Sequence, residues 1–212
     1  MQPFIRSDQY HFIKAQTMII VNGNATVNDS NVLQALKSLA KEKVMNLFID
    51  ISDEQEQLLL PIFQIEEKTD AEEFLAQLIP YVIPFKAVSE QTIKKLFPKA
   101  KKLKVPSFEN LDFKEISYLS WHDKGSNKQY IVVQQHNKLV GLQGTFNPLN
   151  KKGICTLCHG HAEVGMFTVE KKGAEQGTLS RKGNYICQDS QACNHNLKTL
   201  DRLFDFVVRL GK

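Results

Sequence analysis

The sequence predicts an α+β protein in two parts: an N-terminal helical bundle over residues 1–80 and a C-terminal mixed α/β lobe over 81–212. Three observations carry this. Through the first third, apolar residues recur at the 3.6-residue period of amphipathic helices. From about Glu115 the period falls to two, in runs rich in Val, Ile and aromatic residues. The cysteines, Cys155, Cys158, Cys187 and Cys193, all fall in the last third.

In chain order, residues 5–21 read as the first helix, and NGNATVND (22–29) as a turn rich in Asn and Gly. A second helix is expected from Asp29 or Ser30. Its stripe is Val32, Leu33, Leu36, Leu39, Ala40, Val44, Leu47 and Phe48. Ser52 and Gln55 have capping-box spacing and open a third helix toward Ile65, with Pro61 placed to kink or end it. Thr69 and Glu72 repeat that spacing ahead of Phe74, Leu75, Leu78 and Ile79. Short amphipathic helices in succession imply a bundle. Pro80 and Pro84 mark the boundary. Ser89 caps a short helix to about Phe97, within a lysine-rich stretch (94–104) that has no acid between Gln91 and Phe108. Strands are expected at 116–121, 129–135, 139–146, 164–169 and 185–187, with His136, Asn137 and Lys138 as a hairpin loop and 171–180 as a longer loop. The last helix is expected over 197–210, its inner face formed by Leu197, Leu200, Leu203, Phe204, Val207 and Val208.

The composition, 42% hydrophobic and 24% charged over 212 residues, is that of an ordinary globular chain able to bury a core without disulfides. No apolar run approaches the roughly 20 residues of a membrane-spanning helix. The start, MQPFIRSDQYHF, has no basic segment followed by an apolar one. A cytoplasmic protein with no membrane partner is therefore expected. The net charge of +4 conceals an asymmetry: residues 1–79 carry 6 Lys+Arg against 12 Asp+Glu, and the remainder 21 against 11. A basic lobe is drawn to an acidic partner, nucleic acid or protein.

Cys155-x2-Cys158 is followed 29 residues later by Cys187-x5-Cys193. In a cytosolic chain, such clustering favours a metal over disulfides. Zinc takes four thiolates in a tetrahedron, and a CxxC turn aims two sulfurs at one ion. Gly153 and Gly160 flank that turn. The second pair leads into a helix whose dipole favours thiolate at Cys193. The arrangement resembles a treble clef, and a four-cysteine zinc finger at about 153–212 holding one structural Zn2+ is expected. Four reduced core cysteines are the plain alternative, and a redox pair at Cys155 and Cys158 lacks the βαβ setting of thioredoxin-like folds. Four thiolates close the coordination shell, which argues for structure rather than catalysis. His159, His161 and His195 lie nearby and are expected on surface loops. There is no Gly-rich phosphate loop, HExxH or GxSxG, so no catalytic residue is assigned and an enzyme is not expected.

One patch stands apart. Lys182 and Tyr185 precede Cys187, and Phe206, about 200° around a helix from Phe204, is expected on the outer face of the last helix. A Lys, a Tyr and an outward Phe beside a zinc turn have the composition of a protein-binding hot spot. Each alone is equally compatible with ordinary packing.

The strings GICTLC (153–158) and RKGNYICQDSQACN (181–194), with YVIPFKAVSEQTIKKLFPKAKKLKVPSFE (81–109), resemble the FusB-type family of fusidic-acid resistance proteins, also described as elongation factor G-binding proteins. The lengths match, so the resemblance covers nearly the whole chain. It implies a helical bundle, an α/β lobe with a four-cysteine zinc site, and no enzymatic activity. It further implies binding to elongation factor G, on or off the ribosome, chiefly between this lobe and the factor's C-terminal domains. Fusidic acid traps the factor on ribosomes, and the family promotes its release, giving antibiotic resistance by target protection. Lys182, Tyr185 and Phe206 are the implied contacts. Where the family has an aromatic before the first cysteine, this chain has Ile154, which keeps an apolar contact and loses ring area. Release needs no catalysis, because a ligand preferring one conformation of its partner shifts that population. The rival expectation is a zinc-containing RNA- or ribosome-binding module acting without elongation factor G, its lysine stretch against ribosomal RNA. No aromatic stacking motif for base recognition is present. The pattern demands no dimer, so a monomer is expected.

Overall fold

The structure, a computed structural model, describes residues 1–100, 103–172 and 179–211. Lys101, Lys102 and residues 173–178 of the expected loop therefore lie outside the described residues. The chain divides into two compact units, Met1–Ile83 and Pro84–Lys212.

The first unit is helical: α1 (Ser7–Thr26), α2 (Ser30–Met45), α3 (Asp53–Leu59) and α4 (Lys68–Leu78), with short 3-10 turns at Leu60–Gln64 and Ile79–Tyr81. Asp29 caps α2 by accepting from the N–H groups of Asn31 and Val32. Ser52 and Gln55 form the expected capping box on α3. Pro61 lies in the 3-10 turn directly after α3, where its missing N–H removes no α-helical bond. The core joins Ile5, Ile13, Ile20, Val44, Leu59, Ile62, Phe74 and Leu78. Ile5 bridges Val82, and the N–H of Ile83 donates to the Ile5 carbonyl at 2.8 Å, so the two ends of the unit close on each other.

Two helix ends differ from expectation. The segment 22–26 does not turn but continues α1 to Thr26. Tertiary contact overrides its turn chemistry: a Cβ at Gly23 would lie 3.1 Å from Leu36 Cδ1, so glycine admits α2 at close range. Asn24 donates through Nδ2 to the carbonyls of Ile20 and Ile65 instead of bonding its own turn. At α4, the cap is supplied by Asp70, whose carboxylate accepts from the N–H groups of Glu66 and Glu67, and not by the Thr69–Glu72 pair. Those bonds, Glu67 first, hold the Asp70 carboxyl below its ordinary value.

The second unit opens with α5 (Glu90–Leu96), capped by Ser89. A five-stranded antiparallel meander follows in the order β1 (Tyr118–Asp123), β2 (Lys128–Gln135), β3 (Lys138–Ile154), β4 (His161–Lys172) and β5 (Leu179–Cys187), then α6 (Ser190–Asn196) and α7 (Asp201–Gly211). His136 and Asn137, with φ of 45° and 65°, make the two-residue turn between β2 and β3. Two successive left-handed residues are the type I′ signature that matches strand twist. The central sheet is covered on both faces. Ile131 and Val133 share a core with Leu203, Phe206 and Val207 of α7, while Tyr130 and Val132 share another with Ile93 and Phe97. β3 outruns its expected end at Phe146. It passes a bulge between Pro148 and Lys151, with Asn150 at φ 51°, and continues to Ile154. The bulge re-aims the strand so that it delivers the chain to the first cysteine pair. The last helix, expected over 197–210, begins only at Asp201 as α7, and a separate short helix, α6, precedes it, with 197–200 between the two.

Candidate metal centre and adjoining surface

Cys155 and Cys158 lie on the tight turn between β3 and β4. The Cys155 N–H donates to the Gly160 carbonyl at 3.0 Å, and the His159 N–H to the Cys155 carbonyl at 2.9 Å. Closing so tight a loop puts His159 at φ 58°. Cys187 ends β5. Cys193 lies in α6, a short helix capped by Asp189, rather than at the head of the last helix as the sequence implied. The backbone also donates to sulfur: Gly160 N–H to Cys158 Sγ at 3.3 Å and Cys187 N–H to Cys155 Sγ at 3.4 Å. Such bonds favour thiolate over thiol.

All four Sγ atoms lie within 4.8 Å of one another. Cys155 and Cys193 are 3.8 Å apart, Cys158 and Cys187 3.7 Å. Four sulfurs at the corners of a tetrahedron, each about 2.3 Å from zinc, are about 3.8 Å apart along each edge. The donor set and its spacing therefore fit one structural zinc, and the four side chains are free of disulfides. With no cation among them the thiols could not ionise together. Hydrogen bonding, from Cys158 first, holds Cys155 far below the ordinary thiol range, and hydrogen bonding, to Cys155 first, pushes Cys193 far above it. A divalent cation removes that conflict.

Two residues that composition and spacing did not single out hold this centre to the sheet. Asn194, 2% exposed, follows the last cysteine. Its Oδ1 accepts from the N–H groups of Ser117 (2.7 Å) and Tyr118 (3.2 Å). Its Nδ2 donates to the carbonyls of Tyr118 (3.1 Å) and Ser190 (2.9 Å). A residue in a β-strand presents its N–H and C=O to the same side, so Asn194 occupies the outward edge of Tyr118 as one peptide unit of a further strand would. Tyr118 is itself buried, and that burial pushes its phenol well above the usual range. No periodicity marks either residue; the one available signal was an Asn adjoining a ligand cysteine. The neighbouring histidines do not join the cluster: His195 Nε2 lies 3.3 Å from Glu115 Oε2, and His159 is exposed.

Of the expected contact residues, Ile154 is 54% and Tyr185 43% exposed, and Lys182 is exposed on the same strand as Tyr185. The Thr156 N–H donates to the Tyr185 carbonyl at 2.9 Å, which ties the metal turn to β5. Phe206 is a correction. It is 1% exposed, its ring 5.6 Å from that of Phe167 in the core. The expected helix began at 197, so Leu197 and Leu200 helped set its phase, yet both precede α7. From Asp201 onward, at about 100° per residue, Leu203, Phe206, Val207 and Leu210 share an arc of about 100°, and Phe204 and Val208 fall outside it. Lys94, in the lysine stretch, pairs with Glu90.

Fold and site together define a two-unit zinc-finger protein: a helical unit, then an antiparallel sheet closed by a treble clef that holds one structural zinc. Residues 4–86 match the family model described as "Elongation factor G-binding protein, N-terminal", and residues 94–206 match "FBP C-terminal treble-clef zinc-finger". The solved structure of the fusidic acid resistance protein FusC is similar over 98% of both chains, at 32% identity and a TM-score of 0.84. No curated protein sequence matches. The chain belongs to the FusB-type family of fusidic acid resistance and elongation factor G-binding proteins.

Proposed function

We propose that this protein binds elongation factor G through its zinc-bearing unit and promotes release of the factor from ribosomes stalled by fusidic acid. The observation that carries the reading is the exposed pair Ile154 and Tyr185, with Lys182, beside the metal turn. Large apolar side chains left exposed at a site stapled by metal and hydrogen bonds favour a partner surface over internal packing. The likeness to FusC over nearly its full length supports the same reading. The factor's C-terminal domains are the surface engaged, one copy of the chain per factor. No bond is made or broken: binding energy spent on one conformation of the factor shifts its population off the ribosome. Among the described residues no helix is long and apolar enough to cross a membrane, and the site of action is the cytoplasm.

The test is calorimetric titration into purified elongation factor G, paired with a turnover assay on fusidic acid-stalled ribosomes. Tyr185→Ala is expected to weaken binding by about 2 kcal/mol, roughly 30-fold in Kd, and to lower release to match. Unchanged affinity in that variant, with zinc retained, overturns the site. No binding by the wild-type chain overturns the function.

A further inference from the structure

Beside the zinc turn runs a groove of about 580 Å³, walled by Thr156 and His159 of the metal turn, Lys182 of β5, and Arg202, Asp205 and Arg209 of α7. The buried ring of Phe206 and the half-exposed Val208 complete its lining. Arg202, Asp205, Lys182 and Arg209 are all exposed. Among the described residues none of the four makes an ion pair, although Asp205 stands three residues from one arginine and four from the other. Each cation is thus free for an external partner.

We infer that this groove receives an acidic protein segment, with Arg202 and Arg209 as the residues that recognise its carboxylates. The inference rests on the binding function proposed above and names the chemistry of the surface that the partner must bring. Three cations against one acid fix the sign of that surface. Arginine's planar fork suits carboxylate pairing. Arg202 and Arg209 are seven residues apart on α7, which sets their Cα atoms about 10 Å apart along the axis, on nearly the same side. The matching segment presents two carboxylates at about that spacing, as residues seven apart on a helix do. Asp205, between the arginines, favours protein over nucleic acid. A nucleic-acid backbone carries a charge on every nucleotide and would meet the Asp205 carboxylate, whereas two discrete carboxylates straddle it. The groove is also continuous with the proposed contact patch, through Thr156, which bonds to Tyr185, and through Lys182, three residues before it.

The test uses the full zinc-loaded chain labelled with 15N and three probes of equal length: an oligoglutamate peptide, an oligoglutamine peptide and a single-stranded RNA. Oligoglutamate is expected to shift the amides of Thr156, Lys182, Arg202 and Arg209, oligoglutamine to shift none, and RNA to bind more weakly. Arg202→Glu with Arg209→Glu is expected to abolish those shifts. The same pair should weaken binding to elongation factor G at least tenfold and flatten the salt dependence of Kd. Arg202→Gln with Arg209→Gln, an intermediate loss, guards against a folding artefact, with zinc content and helical signal checked in each variant. Unchanged oligoglutamate shifts or unchanged factor affinity in the reversed variant overturn the inference, as does RNA binding more tightly than oligoglutamate. If oligoglutamate binds in the groove but the wild-type chain does not bind the factor, the groove chemistry stands and the proposed partner falls.

Discussion

Asn194→Ala tests whether the metal centre is held by the sheet or by the metal alone. The substitution removes four hydrogen bonds and strands three backbone groups: the N–H of Ser117 and both the N–H and C=O of Tyr118. The Ser190 carbonyl keeps its place in α6. Both Tyr118 bonds are buried, and each buried group left without a partner costs about 1–3 kcal/mol. Water admitted at the β1 edge offsets part of this, so the expected loss is about 3 kcal/mol, a large share of the roughly 5–15 kcal/mol that holds a domain folded. Because Cys193 adjoins Asn194 on the same short helix, the loss should also appear as faster zinc release. The assay is urea denaturation of the zinc-loaded chain alongside transfer of zinc to a chromogenic chelator. Asn194→Leu, which keeps side-chain volume, separates the hydrogen bonds from packing and should lose nearly as much. If Asn194→Ala stays within about 0.5 kcal/mol of wild type and releases zinc at the same rate, the side chain does not brace the centre, and the reasoning from buried polar pairing fails.

Three further outcomes follow from the same geometry. Chelation at neutral pH should abolish the near-ultraviolet signal of the sheet unit while most helical signal persists, since α1 to α4 have their own core; acidification should release zinc likewise, because protons compete for the thiolates. Gly165→Ala should cost about 1–3 kcal/mol in denaturant melts, since a Cβ there would lie 2.3 Å from Phe146 Cζ and 2.9 Å from the Asn147 carbonyl, and a buried ring and a strand backbone cannot both yield. Asp70 has its pKa lowered in the folded state, so its stabilisation is present above its ordinary value of 3.8 and is lost as pH falls through the lowered one. The gap in Tm between wild type and Asp70→Ala should therefore be widest near pH 7 and shrink as pH falls below 3.8, and a gap independent of pH would refute the capping role.

What the sequence made legible depended on whether the cause was local. Asp29, Ser52 and Ser89 cap the helices where their spacing says they should, because a cap is satisfied within four residues. The cysteine pairs announce the metal centre because a tetrahedron of thiolates admits few spacings. Long-range causes were not legible. The helical course of 22–26 depends on Leu36 and Ile65, and the length of β3 beyond Phe146 depends on its pairing with β4. Asn194 is invisible as a structural residue until β1, 76 residues earlier, is laid beside it. Arg202 and Arg209 belong to no sequence motif, and it is the folded chain that brings them to one groove with Thr156 and His159 of the metal turn.

The burial of Phe206 changes what a substitution there can reveal. On an outward face the ring would be a contact, and its loss would weaken binding without touching stability. In the core against Phe167, Phe206→Ala instead leaves a cavity, at a cost of about 3–5 kcal/mol. That is comparable to much of a domain's stability, so weaker binding by this variant would report a damaged groove wall and not a lost contact. Phe206→Leu separates the two cases: it removes the ring but keeps most of the volume. If the ring serves as scaffold, the Leu variant recovers most of both stability and affinity, while Tyr185→Ala keeps stability and loses affinity. The opposite pattern, a Leu variant as stable as wild type but bound as weakly as Tyr185→Ala, would mean that Phe206 turns outward to meet the partner. The buried rotamer would then be a resting state of the surface.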